Sequence, residues 1–203
     1  MPGRFVVFDG PDGAGKTTQA ARLAALLRQR DVAVVCLREP GATPAGEAIR
    51  DLLLDPETDI GSRAEMLLYQ AARAQIIEAV IRPSLDEGKS VLLDRFGFAT
   101  VAYQGYGLGL DPDAIRAVTK IATDGLEPDH LFLLDVPPEV GLARLDGPKD
   151  RIERRPLEYH RRVREGFLEE AKRLGDRCTV VDTTRTPDEV AAVIADAAER
   201  LWS

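Results

Sequence analysis

Cysteine is scarce in this sequence, and long hydrophobic runs are absent. The two cysteines, Cys36 and Cys178, are far apart, and each lies in an apolar run typical of a strand. Two such residues form neither a disulfide framework nor the clustered spacing of a zinc site, so we expect buried free thiols. No apolar run approaches the ~20 residues that a membrane helix needs. The N-terminal segment reaches a turn too soon for a secretion signal, which predicts a soluble, cytoplasmic protein.

Positive charge is also in the minority. The chain has 27 Lys and Arg against 34 Asp and Glu, a formal net charge of -7. No overall positive field is therefore available to hold a nucleic acid, and a small anionic ligand would need a local cluster of basic residues. A length of 203 residues with 44% hydrophobic and 30% charged residues is typical of one globular domain. We expect a single domain over residues 1–203.

Short β-branched runs alternate with longer helical segments along the chain. Strands are predicted at residues 4–8, 32–37, 90–93, 131–136 and 179–181, and helices at 15–30, 44–54, 62–87, 99–103, 113–123, 138–145, 157–174 and 187–201. The strands are continuously apolar, as expected when helices cover both faces of a parallel sheet. This order predicts an α/β fold with three layers and a doubly wound, five-stranded parallel sheet.

The segment from Gly10 to Thr17 reads GPDGAGKT, which fits the phosphate-binding pattern GxxxxGK[ST] between a strand and a helix. Such a loop predicts a P-loop NTPase fold, in which backbone N–H groups surround the phosphates of ATP. Lys16 would reach the β- and γ-phosphates, and the Thr17 hydroxyl would bind Mg²⁺. The candidate ATP-binding residues are Gly10, Pro11, Asp12, Gly13, Ala14, Gly15, Lys16, Thr17 and Thr18. The alternative is a glycine-rich turn with an incidental lysine, and the motif alone does not distinguish a kinase from a GTPase.

Two further features favour a small-molecule kinase. Asp94 and Arg95 follow a parallel strand at the end where ligands bind in such sheets. Asp94 can hold Mg²⁺ through a water molecule, and Arg95 can bridge two phosphates; a surface ion pair is the alternative. Six arginines occur between Asp150 and Arg164: Arg151, Arg154, Arg155, Arg161, Arg162 and Arg164. They predict a short arginine-rich lid at about residues 146–156, with a solvated basic face as the alternative.

Seven segments together resemble the bacterial thymidylate kinases, P-loop nucleoside monophosphate kinases. They are FDGPDGAGKTTQ (8–19), REPGATPAGEAIRDLLL (38–54), YQAARAQ (69–75), DRF (94–96), AYQG (102–105), LDVPPEVGLAR (134–144) and DRIE (150–153). Each segment is weak evidence alone, whereas their shared order and spacing are specific. The resemblance implies transfer of the γ-phosphoryl group of ATP to dTMP for dTTP synthesis, with Mg²⁺, by a homodimer.

The same resemblance implies an acceptor site. Tyr69 would stack on thymine, Arg73 would donate to a base carbonyl, Gln104 would complete the base contacts and Tyr103 would exclude a ribose 2′-hydroxyl. The implied dTMP-binding residues are Asp12, Arg38, Tyr69, Arg73, Arg95, Tyr103 and Gln104, and the implied catalytic residues are Lys16, Arg95, Arg151 and Asp12. Spacing alone places Tyr69 and Arg73 on one helix face, where an exposed aromatic covered by an arginine is the alternative.

The chain departs from the family pattern at several positions. Gly13 stands where some members carry arginine. In the family, a glycine at this position accompanies lid arginines that take over the catalytic role, and Arg151 is the matching position. Asp9, Ala42, Phe96 and Ala99 also replace the usual residues, and the lid is a few residues short. The change at Ala99 removes a polar contact near the acceptor.

Two other functions remain open from the sequence. One is a kinase of the same fold that acts on another deoxynucleotide or on a nucleoside. The other is a nucleotide-binding switch that binds ATP and transfers nothing.

Overall fold

Five parallel strands form the centre of the protein, whose computed structural model describes residues 3–202. The strands are β1 (Phe5–Asp9), β2 (Val34–Arg38), β3 (Ser90–Asp94), β4 (His130–Asp135) and β5 (Cys178–Asp182). Their order across the sheet is β2-β3-β1-β4-β5, and every neighbouring pair is parallel. The predicted fold class is confirmed, and strand boundaries differ from the prediction by no more than two residues.

Helices cover both faces of this sheet. They are α1 (Lys16–Gln29), α2 (Pro44–Leu54), α3 (Ser62–Ile76), α4 (Arg82–Asp86), α5 (Gly97–Thr100), α6 (Pro112–Thr123), α7 (Pro138–Ala143), α8 (Leu157–Leu174) and α9 (Pro187–Glu199). Proline begins four of them (α2, α6, α7 and α9), because the first helical position needs no N–H donor. Among residues 3–202, no helix combines the length and hydrophobicity needed to cross a membrane.

The prediction of one helix over residues 62–87 is wrong. The α-helical hydrogen bonding ends at Ile76, a π-helical turn covers Ile77–Ile81, and α4 resumes at Arg82. Pro83 lacks an N–H group, and its ring opposes the carbonyl four residues earlier, so a continuous α-helix is disfavoured there. A second π-helical stretch, Val101–Gly107, follows α5 where a short α-helix is predicted.

Both faces of β1 are buried, which explains why its sequence is continuously apolar. Val6 and Phe8 pack in one hydrophobic cluster with α1 and α9. Phe5 and Val7 pack in another on the opposite face, as the two-residue period of a strand requires. The cysteine prediction is half right, because both thiols are free but Cys36 is exposed. It lies on β2, one of the two edge strands of the sheet.

The sheet order places β1 at the centre, with β3 on one side and β4 on the other. The loop after β1 and the loop after β3 therefore leave the sheet side by side at its carboxyl edge, where ligands bind in open parallel sheets. Asp9 connects these two loops, since its carboxylate accepts hydrogen bonds from the backbone of Gly10 (3.0 Å), Phe96 (3.2 Å) and Ala99 (3.1 Å). Burial raises the pKa of Asp9 to about 6, although Arg95 and Lys16 oppose the shift.

Candidate active site

The loop between β1 and α1 has the geometry of a phosphate-binding loop. Its glycines at positions 10, 13 and 15 have positive φ angles, which lets the backbone turn tightly. The Lys16 side chain folds back over the loop, and its Nζ donates to the carbonyls of Gly10 (3.0 Å) and Pro11 (2.7 Å). Burial and then the charge of Arg95 lower the pKa of Lys16 to about 8. An anion bound in the loop would stabilise the charged form of this lysine.

Helix α7 packs against the phosphate-binding loop through close backbone contacts. A Cβ atom on Gly13 would lie 1.9 Å from the Gly141 carbonyl oxygen, and one on Gly141 would lie 2.3 Å from the Asp12 carbonyl oxygen. Neither position therefore has room for a side chain. The glycine at position 13, where some family members carry arginine, is thus required by the way this chain packs α7.

Thr17 and Asp94 form an oxygen pair at the start of α1 and the end of β3. The Thr17 hydroxyl donates to Asp94 Oδ2 at 2.5 Å. A hydroxyl and a carboxylate are the oxygen ligands that Mg²⁺ prefers, and this ion usually takes only one or two protein ligands together with water and substrate phosphate. Among residues 3–202, no group of three or more His, Cys, Asp or Glu side chains is arranged to hold a metal. The donor set fits Mg²⁺ that arrives with a nucleotide.

Asp12, Arg95 and Tyr103 form a hydrogen-bonded cluster beside the loop. One Asp12 oxygen forms an ion pair with the Arg95 guanidinium, and the other accepts a hydrogen bond from the Tyr103 hydroxyl at 2.8 Å. The Arg95 guanidinium also lies 5.0 Å from the centre of the Tyr103 ring. Burial alone would raise the pKa of Asp12, but Arg95 and Lys16 outweigh it and hold the pKa below its ordinary value.

A cavity of about 180 Å³ lies beside this cluster, and most of the predicted acceptor residues line it. Its walls include Asp12, Tyr69, Arg73, Arg95, Tyr103 and Gln104. Arg73 is 2% exposed, so the alternative of a surface arginine folded over Tyr69 is wrong. Its guanidinium instead lies 5.4 Å from the Phe96 ring centre and donates to Gln70 Oε1 (2.6 Å) and Thr100 Oγ1 (3.0 Å).

Glu39 was not singled out from the sequence, although it borders this cavity. Its Oε1 lies 2.8 Å from Arg73 Nε, an ion pair without the alignment of a hydrogen bond. Burial raises the pKa of Glu39 to about 7 even though Arg73 opposes the shift. The carboxylate therefore holds Arg73 at the cavity wall at a considerable cost in desolvation.

A second cavity of about 750 Å³ surrounds the phosphate-binding loop, with walls that include residues 12–19. The two cavities share five lining residues: Asp12, Glu39, Arg50, Arg95 and Glu153. Arg50 has no role in the sequence-based site, although it lies in the REPGATPAGEAIRDLLL segment. Burial and then the charge of Arg38 lower its pKa, and a bound phosphate would relieve this repulsion. The junction of the two cavities is thus lined by two arginines, Arg50 and Arg95.

Arg38, a predicted dTMP-binding residue, and Arg151, a predicted catalytic residue, do not border the smaller cavity. Arg38 borders only the larger cavity, and its side chain forms an ion pair with Glu47 at 3.1 Å. Arg151 borders neither cavity: its Nη1 donates to Glu65 Oε2 at 2.7 Å and its Nε to the Leu53 carbonyl at 2.8 Å. A catalytic role for Arg151 therefore requires its guanidinium to move from this position.

The lid is shorter than the run of arginines suggests. Residues 144–156 connect α7 to α8, and Asp150, Ile152 and Glu153 cover the smaller cavity. The three arginines from position 161 onward belong to α8: Arg161 pairs with Glu139, Arg162 donates to the Gly107 carbonyl, and Arg164 pairs with Asp135. These side chains anchor α8, and of the six arginines only Arg151, Arg154 and Arg155 lie in the segment between α7 and α8, so the prediction of a lid is left with these three.

Glu65 is a further residue that the sequence analysis missed. It is completely buried on α3, where it contacts Gln104, Arg151 and Arg155. Helical spacing contained the signal, because Glu65, Tyr69 and Arg73 lie four residues apart and share one face. A lone glutamate on such a face is usually solvated, so the sequence alone does not predict that Glu65 is buried at the site.

Known proteins with similar sequences and structures identify the family of this chain. The sequence model of the thymidylate kinase family matches residues 8–194. A thymidylate kinase of Deinococcus radiodurans is 47% identical over 194 residues, which is 95% of this chain and 94% of that protein. A thymidylate kinase of Carboxydothermus hydrogenoformans is 45% identical, with 94% of each chain covered.

A solved structure extends the similarity to the fold. The crystal structure of thymidylate kinase from Ehrlichia chaffeensis superposes with a TM-score of 0.79 at 33% sequence identity, covering 97% of this chain and 98% of that one. Both curated relatives are more than 40% identical to this chain over at least 94% of its length. The chain therefore belongs to the thymidylate kinase family.

Proposed function

We propose that this protein transfers the γ-phosphoryl group of ATP to the phosphate of dTMP, giving dTDP and ADP. The main evidence for this reaction is that the two cavities meet at a junction. A phosphate-binding loop opens into one cavity, an aromatic and arginine-lined pocket forms the other, and Arg50 and Arg95 border both. Two nucleotides bound on either side of this junction would bring their phosphates together.

The larger cavity suits the donor. ATP would place its phosphates against the loop from Gly10 to Thr18, where Lys16 would exchange its contacts with two carbonyls for contacts with phosphate oxygens. Thr17 directly, and Asp94 through water, would hold the Mg²⁺ that accompanies ATP and neutralises its phosphate charge. Lys16 and Arg95 would stabilise the negative charge of the transferring group, which needs little covalent assistance.

The smaller cavity suits the acceptor. Tyr69 offers an aromatic face to the base, and Arg73 and Gln104 offer hydrogen bonds to its edge. The acceptor phosphate would lie at the junction beside Arg95 and Arg50, with Arg38 on the donor side. A phosphate monoester is largely ionised near neutral pH, so its oxygen needs no general base to attack the γ-phosphorus. Asp12 would keep Arg95 oriented through their ion pair.

An ADP-release assay over a panel of acceptors tests this proposal. We expect dTMP to stimulate ADP release far more than dUMP, dGMP or thymidine, and Lys16→Ala to abolish it in a folded protein. Lys120→Ala is the matched control, because Lys120 is an exposed lysine on α6. Preference for another acceptor would identify a different kinase of this fold. ATP binding without acceptor-dependent ADP release would contradict the enzymatic proposal altogether.

We further propose that the protein is a homodimer through α2, α3 and α6. Each helix exposes an uncharged stripe with the same spacing of three and four residues: Ala45, Ala48 and Leu52 on α2, Ala64, Leu67 and Ala71 on α3, and Ala114, Ala117 and Ile121 on α6. Helix α3 packs against both of the other two helices. Ile121 is 80% and Leu67 49% exposed, which is unusual for an apolar patch without a partner.

Sedimentation velocity tests the dimer directly. We expect the wild-type chain to sediment as a dimer and Leu67→Asp to sediment as a monomer, because a buried unpaired carboxylate would disfavour association. Val193→Asp, at an exposed apolar position on α9, is the matched control and should remain dimeric. A monomeric wild type would contradict the proposed interface.

A further inference from the structure

The Glu65 carboxylate joins the lid to the acceptor pocket. Its Oε1 accepts a hydrogen bond from Gln104 Nε2 at 2.7 Å. Its Oε2 accepts from Arg151 Nη1 at 2.7 Å and from Arg155 Nη2 at 2.6 Å. The carboxylate is 0% exposed, so the three donors replace all of its contacts with water.

The stability of the fold alone does not explain this arrangement. An apolar side chain could fill the same buried position on α3, and replacing a buried ion pair by well-packed apolar residues is often neutral or stabilising. Two guanidinium groups, those of Arg151 and Arg155, form ion pairs with this carboxylate. An ionised carboxylate can only accept hydrogen bonds, so every neighbouring polar group must direct a donor toward it.

The restriction fixes the orientation of the Gln104 amide. Gln104 is 1% exposed and borders the acceptor cavity. Because Glu65 can only accept, the amide must direct its NH₂ group toward Glu65. None of the hydrogen bonds within residues 3–202 uses Gln104 Oε1, which leaves this carbonyl oxygen available to a ligand. The pocket thus presents a fixed acceptor from Gln104 and guanidinium donors from Arg73.

This pair of groups matches one kind of pyrimidine edge. Thymine and uracil carry an N3–H donor beside a carbonyl acceptor at C4. Cytosine carries the reverse, an N3 lone pair beside an amino donor. A free glutamine amide could rotate to satisfy either edge, whereas an amide held by Glu65 satisfies only the first.

We propose that Glu65 is a positioning residue that makes the acceptor site select bases with an N3–H group. Glu65 does so by holding the Gln104 amide in one orientation, while Arg151 and Arg155 keep the carboxylate charged. The inference rests on the proposed acceptor site. It also assigns the lid arginines a role in base selection. If Arg151 leaves Glu65 during turnover, Arg155 still keeps the carboxylate paired.

Glu65→Gln tests the inference with a defined expected change. Arg151 and Arg155 would attract the new carbonyl oxygen, which directs the new NH₂ group at Gln104. The Gln104 amide would then turn over and present its own NH₂ group to the pocket. We expect the ratio of the dCMP and dUMP dissociation constants to fall by about 10-fold or more, by calorimetry without ATP. These two ligands differ only in the base edge at N3 and C4, since neither has the 5-methyl group.

Matched variants separate positioning from general damage. Arg154→Met removes a neighbouring lid arginine whose side chain contacts only the Lys149 carbonyl and leaves the contacts of Glu65 and Gln104 intact, so the ratio should stay at the wild-type value. In a Gln104→Leu background, Glu65→Gln should have almost no further effect on the ratio, because the group through which it acts is gone. If Glu65→Gln does not fold, Glu65→Met removes the same fixed acceptor and should lower the ratio as well.

The outcomes also distinguish this inference from the proposed function. A wild-type protein that binds dTMP and dUMP, with a ratio unchanged in folded Glu65 variants, would overturn the positioning role alone. A wild-type protein that binds none of these monophosphates would overturn the acceptor site and the inference with it.

Discussion

The Tyr103 hydroxyl donates to Asp12 at 2.8 Å, and its ring forms part of the acceptor cavity wall. The ring also packs edge-on against Tyr159 and Phe167, and these contacts restrict its movement away from a larger sugar. We expect the enzyme to prefer dTMP over ribothymidine monophosphate by about 10² in kcat/KM, because a 2′-hydroxyl would meet the ring. Tyr103→Phe keeps the ring and should retain most of this preference.

Tyr103→Ala provides the contrast. It opens the cavity, so the preference for the deoxy sugar should disappear, with a stability cost of about 3 kcal/mol from the lost ring. Steady-state kinetics on folded wild type and both variants, with both nucleotides, measure the effect. An equal loss for the two sugars in Tyr103→Ala would show that the ring only packs against Tyr159 and Phe167.

Arg151 is held on Glu65 in the structure, whereas the family resemblance predicts that it stabilises the transferring phosphoryl group. We expect Arg151→Ala to lower kcat by about 10³-fold and to change the dissociation constant of dTMP little. Arg154→Ala is the matched control, since Arg154 is exposed and donates only to the Lys149 carbonyl. An unchanged kcat in Arg151→Ala would limit Arg151 to anchoring the lid.

The contact between Gly13 and α7 predicts unequal effects of alanine at two glycines of the same loop. Both glycines have positive φ, which costs a non-glycine residue about 1 kcal/mol. At Gly13 the new Cβ would also collide with the Gly141 carbonyl, whereas at Gly15 nothing lies within 4 Å. We expect Gly13→Ala to lower the free energy of unfolding by about 2–4 kcal/mol and Gly15→Ala by about 1 kcal/mol. Urea denaturation without nucleotide measures both, and equal losses would contradict the packing explanation.

The raised pKa of Glu39 predicts that the free energy of unfolding depends on pH. Its pKa is raised to about 7 from a model-peptide value of 4.5, so the folded state binds more protons than the unfolded state between these values. The contribution of Glu39 to stability is therefore fully present below pH 4.5 and is lost as the pH rises to 7. At 1.36 kcal/mol per pKa unit, the loss is as much as about 3 kcal/mol.

Glu39→Gln isolates this effect, because glutamine has nearly the same shape and does not titrate. As the pH rises from 5 to 8, we expect the free energy of unfolding of the variant to increase relative to that of the wild type. Guanidinium denaturation of both proteins at the two pH values measures the difference, in which other titrating groups cancel. A difference that stays constant with pH would show that Glu39 has an ordinary pKa in the folded protein.

The sequence predicted the sheet and the phosphate-binding loop well because both depend on local patterns. Continuous apolar runs are required wherever both faces of a strand are covered, as in β1, and the loop between Gly10 and Thr17 needs glycine at specific φ angles. Tyr69, Arg73 and Tyr103 also lie together at one cavity, as the resemblance implies.

The parts that escaped prediction depend on contacts between distant elements. The π-helical turn at Ile77–Ile81 has no periodic signature that separates it from an α-helix. Arg151 and Arg161 look alike in the sequence, and only the positions of Glu65 and Glu139 give them different partners. Glu65 itself is informative only once Gln104 is known to lie against it.

The common wall of the two cavities has a thermodynamic consequence for the substrates. Arg50 and Arg95 border both cavities, so in the proposed complex the phosphate that arrives first would neutralise charge that the second would otherwise meet. The affinity of each substrate must then depend on whether the other is present. Linkage requires the factor to be the same in both directions, so the effect of ATP on dTMP binding can be read from the effect of dTMP on ATP binding. A factor above one, meaning tighter binding of the second substrate, would show that attraction to the arginines dominates at the junction. A factor below one would show that repulsion between the phosphates dominates.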